Sequence, residues 1–408
     1  MTGISDRETL RRVAIIFDMF GPYHIARINA LGARCETLGI EVASRSRIYD
    51  WDRHDGDVTF ERKTLFDVPD SKLLPYATIA GGIVATLDAF KPDVVLIPGW
   101  ASRAAVAALR WALENRVASV VMSESTAGDK ARTWWRERLK GRLAQCFDAG
   151  FVGGEPQRAY LASLGMPVDA LATGYNVVDI RFFGEGALAA RRQPEKTRAN
   201  HDLPERYFLA SARYVPDKNL VALFEAFARF RHRRPNSNTG MILLGDGAAR
   251  SELEAKRHDL GLDGAISMPG FRQYEELPSY YGLALAFVHI SRIEPWGLVV
   301  NEAMAAGLPI VVSRECGCAA DLVQDGVNGF LVPCDDLDIV AECLTRIDDA
   351  ERAERDRMGE MSESIIAKWS PSAFATGAIE ASETAMRRLS INRNHVRRAV
   401  VAVAARLI

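Results

Sequence analysis

The 408-residue sequence has no run of about 18 consecutive apolar residues, the length that a membrane-spanning helix needs. It also lacks the charged-then-apolar start of a secretory signal, since the first ten residues include Asp6 and Glu8. Cysteine is scarce: the six residues are scattered, and the closest pair, Cys316 and Cys318, has one residue between rather than two. We therefore predict a cytoplasmic protein without a disulfide framework or a zinc site.

An excess of charge of one sign is also absent. The 51 Lys and Arg residues nearly balance 53 Asp and Glu residues, which gives a formal net charge of −2. Because nucleic-acid binders need a strong basic surplus to neutralise phosphates, this balance argues against nucleic acid as a partner. With 48% hydrophobic and 25% charged residues, the composition is that of a globular protein of two domains or one large one.

Short apolar runs alternate with segments of helical periodicity twice along the chain. In the first half, strands are predicted at 13–17, 40–43, 93–97 and 118–122, and helices at 24–38, 76–90 and 101–114. In the second, strands are predicted at 207–212, 241–244, 284–290 and 309–313, and helices at 219–231 and 299–306. This alternation predicts two α/β domains with mostly parallel sheets, at 1–190 and 207–370, joined by a polar linker at 191–206.

Ligands of such sheets bind outside the carboxyl ends of the strands, which directs attention to the turns. Glu294 follows a predicted buried strand, Gly297 allows close approach of the backbone, and the next helix begins there with free N–H groups suited to a diphosphate. Glu302, within two turns of that helix start, has two acceptor oxygens for the hydroxyls of a ribose. The alternative is that both glutamates only cap and solvate the helix.

A second turn places two cations beside a Pro-Asp pair. Arg213 and Lys218 flank this turn and are positioned to supply positive charge to a leaving diphosphate. Taken alone, Lys218 fits a solvated residue at a helix start equally well.

The spacing of Glu294 and Glu302, with seven residues between, resembles the E-x7-E signature of retaining GT-B glycosyltransferases of family 4. Further segments match in order, at 174–179, 213–219, 245–247, 270–271 and 325–331. The resemblance implies an α/β GT-B fold, in which two Rossmann-like domains face each other across a cleft. It places a UDP- or GDP-sugar donor on the second domain, the acceptor on the first, and a helix of 371–408 crossing back to the first domain.

The family pattern assigns catalytic roles to Glu294, which contacts the donor sugar, and to Arg213 and Lys218, which stabilise the diphosphate. It assigns donor binding to Glu302 at the ribose, backbone N–H groups of Gly297 and Leu298 at the diphosphate, Phe271 and Arg272 at the base, and Gly21 at the phosphates.

The chain departs from the family pattern at two places in the first domain. Pro22 stands where a second glycine is common, which removes one N–H donor. Residues 120–126 lack the histidine that many relatives place beside the sugar, and Glu124 there either faces the acceptor or belongs to a surface loop. His24 begins the first helix, either as a functional residue or as a cap.

Three D-x-D tripeptides, at 50–52, 55–57 and 336–338, have the spacing of metal-dependent transferases, but about two arise by chance at this aspartate content. Asp336 fits a helix cap better. Residues 245–250 imitate a dinucleotide fingerprint but end in Arg250 instead of glycine, which is poor evidence for NAD. We predict no cofactor and no metal requirement, with the nucleotide sugar as a substrate.

The resulting hypothesis is a retaining glycosyltransferase that moves a sugar to a hydroxyl of a glycan, glycolipid or small molecule. A nucleotide-sugar epimerase and a non-catalytic sugar-nucleotide-binding protein are the alternatives. Two basic stretches, 130–142 around Trp134 and Trp135 and the tail 387–408, fit either a solvated surface or peripheral contact with the inner face of a membrane, where a lipid-linked acceptor lies.

Overall fold

A computed structural model describes residues 10–45, 58–129, 133–389 and 394–407. The chain forms two compact units. The first unit contains the described residues up to Ser125, those from 133 to Asn176, and those from Pro371 onward. The second unit contains 126–129 and Val177–Ser370.

The first unit is built on a parallel sheet of seven strands, in the order β3-β2-β1-β4-β5-β6-β7. Its β1 strand is buried from Val13 to Phe17, as expected of a strand covered on both faces. The elements up to residue 176 are β1 (Arg12–Phe17), α1 (Pro22–Gly32), β2 (Glu36–Ala43), β3 (Glu61–Phe66), α2 (Tyr76–Phe90), β4 (Val94–Pro98), α3 (Arg103–Asn115), β5 (Ala118–Ser123), α4 (Trp134–Ala144), β6 (Ala149–Val152), α5 (Glu155–Ser163) and β7 (Leu171–Thr173).

The second unit has a parallel sheet of six strands, in the order β10-β9-β8-β11-β12-β13. The two parallel α/β sheets confirm the fold class predicted from the alternating pattern. Its elements are α6 (Ile180–Arg192), α7 (Pro194–His201), β8 (Tyr207–Ser211), α8 (Leu220–Arg233), β9 (Gly240–Leu244), α9 (Arg250–Asp259), β10 (Ile266–Gly270), α10 (Leu277–Leu283), β11 (Ala286–His289), α11 (Leu298–Ala305), β12 (Ile310–Ser313), α12 (Ala319–Leu322), β13 (Gly329–Val332), α13 (Leu337–Asp349) and α14 (Arg352–Ile366).

Two helices, α15 (Pro371–Leu389) and α16 (Asn394–Leu407), return to the first unit. The α15 helix packs on α1 and on β5 and β6, with the fully buried Phe374 ring centred 5.1 Å from that of Phe151. The α16 helix packs on α3. Within the described residues, no helix is both long and apolar enough to cross a membrane.

The structure differs from the expected linker at 191–206. The α7 helix occupies Pro194–His201, and α6 before it belongs to the second unit. The α7 helix has no buried residue, so no apolar periodicity reveals it in the sequence. The α6 helix has a small apolar face, formed by the buried Phe183, Ala187 and Ala190. This face lies against α10, where the Phe183 and Tyr281 rings pack edge to face with their centroids 5.8 Å apart.

The first helix is also shorter than the predicted 24–38. The α1 helix ends at Gly32, and β2 begins at Glu36, so that Thr37 and Leu38 are buried strand residues paired with β1. A Cβ on Gly32 would lie 2.6 Å from the Thr59 carbonyl oxygen, a contact that needs glycine at this helix end.

Candidate functional site

The site predicted from the two turns lies at the point where the strand order of the second sheet reverses. β8 and β11 are neighbours there, although five helices and strands of the chain, α8 to α10, separate them. The turns at 213–219 and 290–297 follow their carboxyl ends. In open α/β sheets this reversal point is where ligands bind.

Direct hydrogen bonds join the two turns. The Asp217 carbonyl oxygen accepts the Arg292 amide at 2.9 Å. Asn219, in the left-handed region at φ 58°, donates its Nδ2 to the carbonyl oxygens of Ile290 at 3.2 Å and Cys334 at 2.7 Å. These bonds fix the position of one turn relative to the other, and with it the side chain between Asp217 and Asn219.

That side chain, Lys218, forms an ion pair with Glu294. Its Nζ lies 2.6 Å from Glu294 Oε2, and the two side chains are only 9% and 14% exposed. Because little water screens a pair this buried, each charge depends strongly on its partner. The structure therefore brings together two of the three residues predicted to be catalytic.

His289, which the sequence analysis did not single out, completes this cluster. It is the last residue of β11, is 4% exposed, and places Nε2 3.0 Å from Glu294 Oε2. The Ser291 hydroxyl oxygen lies 3.1 Å from the same nitrogen. The only sign of this role in the sequence was the presence of a histidine at the end of an apolar strand, five residues before Glu294.

The contacts set the protonation states of the pair. Burial favours the neutral form of Glu294, but hydrogen bonds and charge from His289 and Lys218 outweigh it and lower its pKa to about 2. Burial likewise disfavours charge on His289, but its contacts with Cys316 and Glu294 raise its pKa to about 9. Near neutral pH the cluster therefore holds an ionised carboxylate between two cations.

We expect the free energy of unfolding to fall as pH rises from about 6.5 towards about 9. Folded His289 keeps its proton in this window, whereas the unfolded chain releases it near the ordinary value of 6.5, so the stabilisation present at lower pH is lost. In His289→Asn the fall should be smaller, as measured by urea unfolding across the window. His258→Asn is the control, because that ring is 81% exposed and pairs with Asp263 at the surface. Equal slopes for His289→Asn and the unchanged protein would contradict the assignment.

Helix α11 begins directly beside the carboxylate. Gly297 precedes it with φ 102°, and a Cβ there would lie 3.3 Å from Glu294 Cγ. The buried Trp296 anchors this start, since its Nε1 donates to Asn301 Oδ1 at 2.9 Å. From Leu298 onward, the first-turn N–H groups have no carbonyl partner one turn earlier within the helix, which makes the end attractive to anions.

Glu302 occupies a different environment from Glu294. It is 1% exposed, and its Oε2 accepts the Tyr281 hydroxyl at 2.6 Å. Burial and the charge of Glu302 raise the pKa of Tyr281, which keeps this hydroxyl a donor. The alternative that both glutamates merely solvate the helix is wrong, because one is in a buried ion pair and the other is bonded to tyrosine.

The third residue predicted to be catalytic, Arg213, and the residues predicted to hold the base, Phe271 and Arg272, lie at the same edge of the sheet but do not join the cluster. Arg213 is exposed, and within the described part of the chain its guanidinium makes no ion pair or side-chain hydrogen bond. Phe271 and Arg272 follow β10, and the Arg272 Nε donates to the Tyr280 hydroxyl at 2.7 Å.

The glycine turn at 245–247 supports the Arg213 turn. A Cβ on Gly245, where φ is 115°, would lie 1.9 Å from the Ala212 carbonyl oxygen. Arg250, which replaces the third glycine of the dinucleotide pattern, pairs with Asp246 at 2.9 Å. The glycine is therefore required for the close approach of two turns.

In the first unit, Gly21 and His24 form a helix cap. The Gly21 amide donates to His24 Nδ1 at 3.0 Å, so the amide proposed for phosphate binding already has a partner. Burial and the nearby Arg27 charge lower the pKa of His24 to about 3, which keeps this nitrogen an acceptor. Glu124 is exposed, directly after β5.

The D-x-D tripeptides at 50–52 and 55–57 lie outside the described residues. The third acts as the sequence indicated: Asp336 Oδ1 accepts the Ile339 amide at 3.1 Å and caps α13. Across the described ranges, no three His, Cys, Asp or Glu side chains are grouped so as to hold a metal ion.

The part of the chain that contains this cluster is similar in sequence to known proteins. Residues 191–364 match the family model of glycosyl transferases group 1. The α-D-kanosaminyltransferase of Streptomyces kanamyceticus is 30% identical over 175 residues, 42% of this chain and 44% of that protein. The probable sucrose-phosphate synthase 5 of Oryza sativa subsp. japonica is 32% identical over 161 residues, 35% of this chain and 16% of that protein. The chain thus spans less than half the length of either relative.

Similarity to solved structures extends over both units. Anabaena HepE, in a structure with UDP-glucose, is 19% identical with a TM-score of 0.67, covering 90% of this chain and 98% of that one. At this identity the likeness shows the fold alone, and it confirms the predicted GT-B fold of two Rossmann-like α/β domains.

Proposed function

We propose that this protein is a retaining glycosyltransferase that uses a UDP- or GDP-linked sugar. The observation that carries the proposal is the Glu294 carboxylate, which Lys218 and His289 hold at the reversal point of the second sheet. The match of residues 191–364 to glycosyl transferases group 1 supports it, as does the UDP-glucose bound by HepE.

The two oxygens of Glu294 have different tasks in this proposal. Both cations contact Oε2, at 2.6 and 3.0 Å. This fixes the carboxylate plane and leaves Oε1 to accept hydroxyl groups of the donor sugar. A carboxylate held ionised by its neighbours is a strong acceptor that needs no reorganisation during reaction.

The charge of the leaving diphosphate is met by Arg213 and the start of α11. Arg213 is exposed, and the helix start directs N–H groups and the positive end of its dipole outward from Gly297. Lys218 has a different part from the one that the family pattern assigns. By neutralising Glu294 at 2.6 Å, it reduces the repulsion between that carboxylate and the diphosphate.

In the proposed reaction, the bond between the sugar anomeric carbon and the diphosphate oxygen breaks as the acceptor hydroxyl forms its bond to the same carbon. The acceptor attacks from the side of the leaving group, which retains the configuration, and its proton passes to the departing diphosphate. The acceptor is a hydroxyl of a glycan, glycolipid or small molecule, bound mainly by the first unit.

A panel of nucleotide sugars tests the donor. A UDP- or GDP-sugar at about 100 times its dissociation constant should add roughly 2.7 kcal/mol to the free energy of unfolding, whereas an ADP-sugar should add little. Transfer with retained configuration, read by NMR of the product, completes the test. Free epimer as the sole product would show an epimerase, and binding with no transfer to a broad acceptor panel would show a binding protein.

We expect transfer to survive a chelator. Arg213 and the start of α11 supply the positive potential that a bound magnesium ion gives elsewhere. The measurement is turnover in EDTA against turnover with added magnesium. Loss of all activity in EDTA, restored by metal, would overturn this expectation and direct attention to Asp50 and Asp52.

A further inference from the structure

The α4 helix of the first unit exposes large apolar side chains. Trp134 is 78% exposed, Trp135 51% and Leu139 39%. Tryptophan side chains are usually mostly buried in folded proteins. Two adjacent exposed tryptophan rings therefore indicate a surface that contacts a partner.

Helical spacing combines these rings with positive charge. Residues 134, 138 and 142 recur every fourth position, as do 135 and 139, and residues so spaced share one face of a helix. Arg138 and Arg142, both exposed, therefore lie among Trp134, Trp135 and Leu139. We call these five side chains the α4 face.

The acidic residue of α4 is held away from the α4 face. Glu137 Oε1 accepts from Lys140 at 2.8 Å, and its Oε2 accepts the Tyr160 hydroxyl at 3.0 Å. Lys140 is therefore neutralised on the inner side, whereas α4 has no second carboxylate for Arg138 and Arg142. The face combines exposed aromatic rings with a net positive charge.

A depression beside the two arginines has room for a phosphate group. Its volume is about 530 Å³, and its walls include Arg138, Arg142, Gln145 and Ser163, with the neutralised Glu137 at one side. Two neighbouring guanidinium groups suit a phosphodiester. The Ser163 hydroxyl already donates to the Tyr160 carbonyl oxygen at 2.7 Å, and Gln145 Nε2 donates to that of Leu164 at 2.9 Å, so the arginines are the groups that would bind it.

Three arginines of the C-terminal basic stretch contact acidic or carbonyl groups of the first unit. Arg397 Nη1 binds Asp148 Oδ1 at 2.7 Å, and Arg398 Nη2 donates to the Leu113 carbonyl oxygen at 2.8 Å. Arg388 lies 3.7 Å from Asp169. In the described part of the C-terminal stretch, Arg387 is exposed and donates to the Thr384 hydroxyl at 2.7 Å, whereas both Arg138 and Arg142 of α4 are exposed beside exposed aromatic rings. Lys130, Arg132, Arg393 and the Arg406 side chain lie outside the described residues.

We propose that the α4 face docks on an anionic lipid membrane surface. Trp134, Trp135 and Leu139 enter the boundary between headgroups and acyl chains, and Arg138 and Arg142 bind lipid phosphates. Charge favours this partner over a second copy of the chain, because a symmetric dimer through this face would bring the same arginines together. The contact is independent of the transfer reaction, so either proposal can fail alone.

The test is co-flotation of the full-length protein with vesicles of phosphatidylcholine, with and without phosphatidylglycerol. We expect binding only to the anionic vesicles, weakened by salt. Trp134→Ala/Trp135→Ala should bind at least about tenfold more weakly. Arg138→Gln/Arg142→Gln should bind about thirtyfold more weakly, from the contribution of two basic residues near an anionic surface.

The matched control is Arg181→Gln/Arg352→Gln, which removes the same charge from two helix arginines that are 84% and 87% exposed. It should bind within about twofold of the unchanged protein, because the charge is lost away from the α4 face. Thermal unfolding checks that all variants are folded. The proposal is overturned if the unchanged protein ignores anionic vesicles, if both α4 variants bind normally, or if the control loses as much. It is also overturned if sedimentation shows a dimer that Trp134→Ala/Trp135→Ala abolishes while no vesicle binding occurs.

Discussion

Replacing Glu294 by glutamine should lower kcat at least about a hundredfold. The substitution keeps the shape of the side chain but removes the charge that fixes it between Lys218 and His289 at 2.6 and 3.0 Å. Loss of one preorganised electrostatic group in an active site has effects of this size. The measurement is the initial rate of sugar transfer at saturating donor.

Glu294→Gln also leaves two buried cations without their anion, so its stability must be measured with its rate. Thermal unfolding identifies the temperature at which the variant is fully folded, and rates are compared there. Glu185→Gln is the control: its carboxylate pairs with Arg181 at the surface, is 71% exposed, and should change neither quantity measurably. Near-normal turnover by folded Glu294→Gln would remove this residue from the mechanism.

Lys218→Ala should also reduce turnover at least about a hundredfold, because Glu294 then repels the diphosphate and loses its fixed orientation. If Lys218 acts through Glu294, the double variant Lys218→Ala/Glu294→Gln should be little slower than either single variant, since residues that act as a unit are not additive. Independent contact of Lys218 with the diphosphate would instead make the two losses multiply, to about ten-thousandfold. Lys256→Ala, which breaks a pair with Glu225 on the helices α8 and α9, is the matched control and should leave turnover unchanged.

The architecture was accessible from the sequence because buried parallel strands are continuous apolar runs. The α2 helix begins and ends where periodicity predicted, at Tyr76 and Phe90. The helix within the polar segment 191–206 was missed because α7 has no buried residue and therefore no apolar periodicity. The end of the first domain was placed too late because the apolar face of α6 consists of one phenylalanine and two alanines, too few to stand out in the sequence. Only its partner helix α10, about 90 residues later in the chain, shows that this face is buried.

The site was accessible only in part. The turns identified Lys218 and Glu294 as residues of one crevice, but their ion pair joins positions 76 residues apart. The role of His289 was missed because the apolar pattern predicts only that it belongs to a strand. Its contact with the Glu294 carboxylate is a tertiary contact that the pattern does not predict. Likewise, the sequence indicates only that Arg397 belongs to a basic tail, because its hydrogen bond to Asp148 joins residues 249 positions apart.

The return of α15 to the first unit has a consequence for synthesis on the ribosome. The core of that unit includes Phe374, which is fully buried, and is therefore incomplete until this late segment has been made. Nearly all of the second unit, Val177–Ser370, precedes it without interruption. Domains fold as units once their residues are available. The part of the chain that is made first is thus expected to finish folding last, and its uncovered sheet is the surface that chaperones would meet during translation.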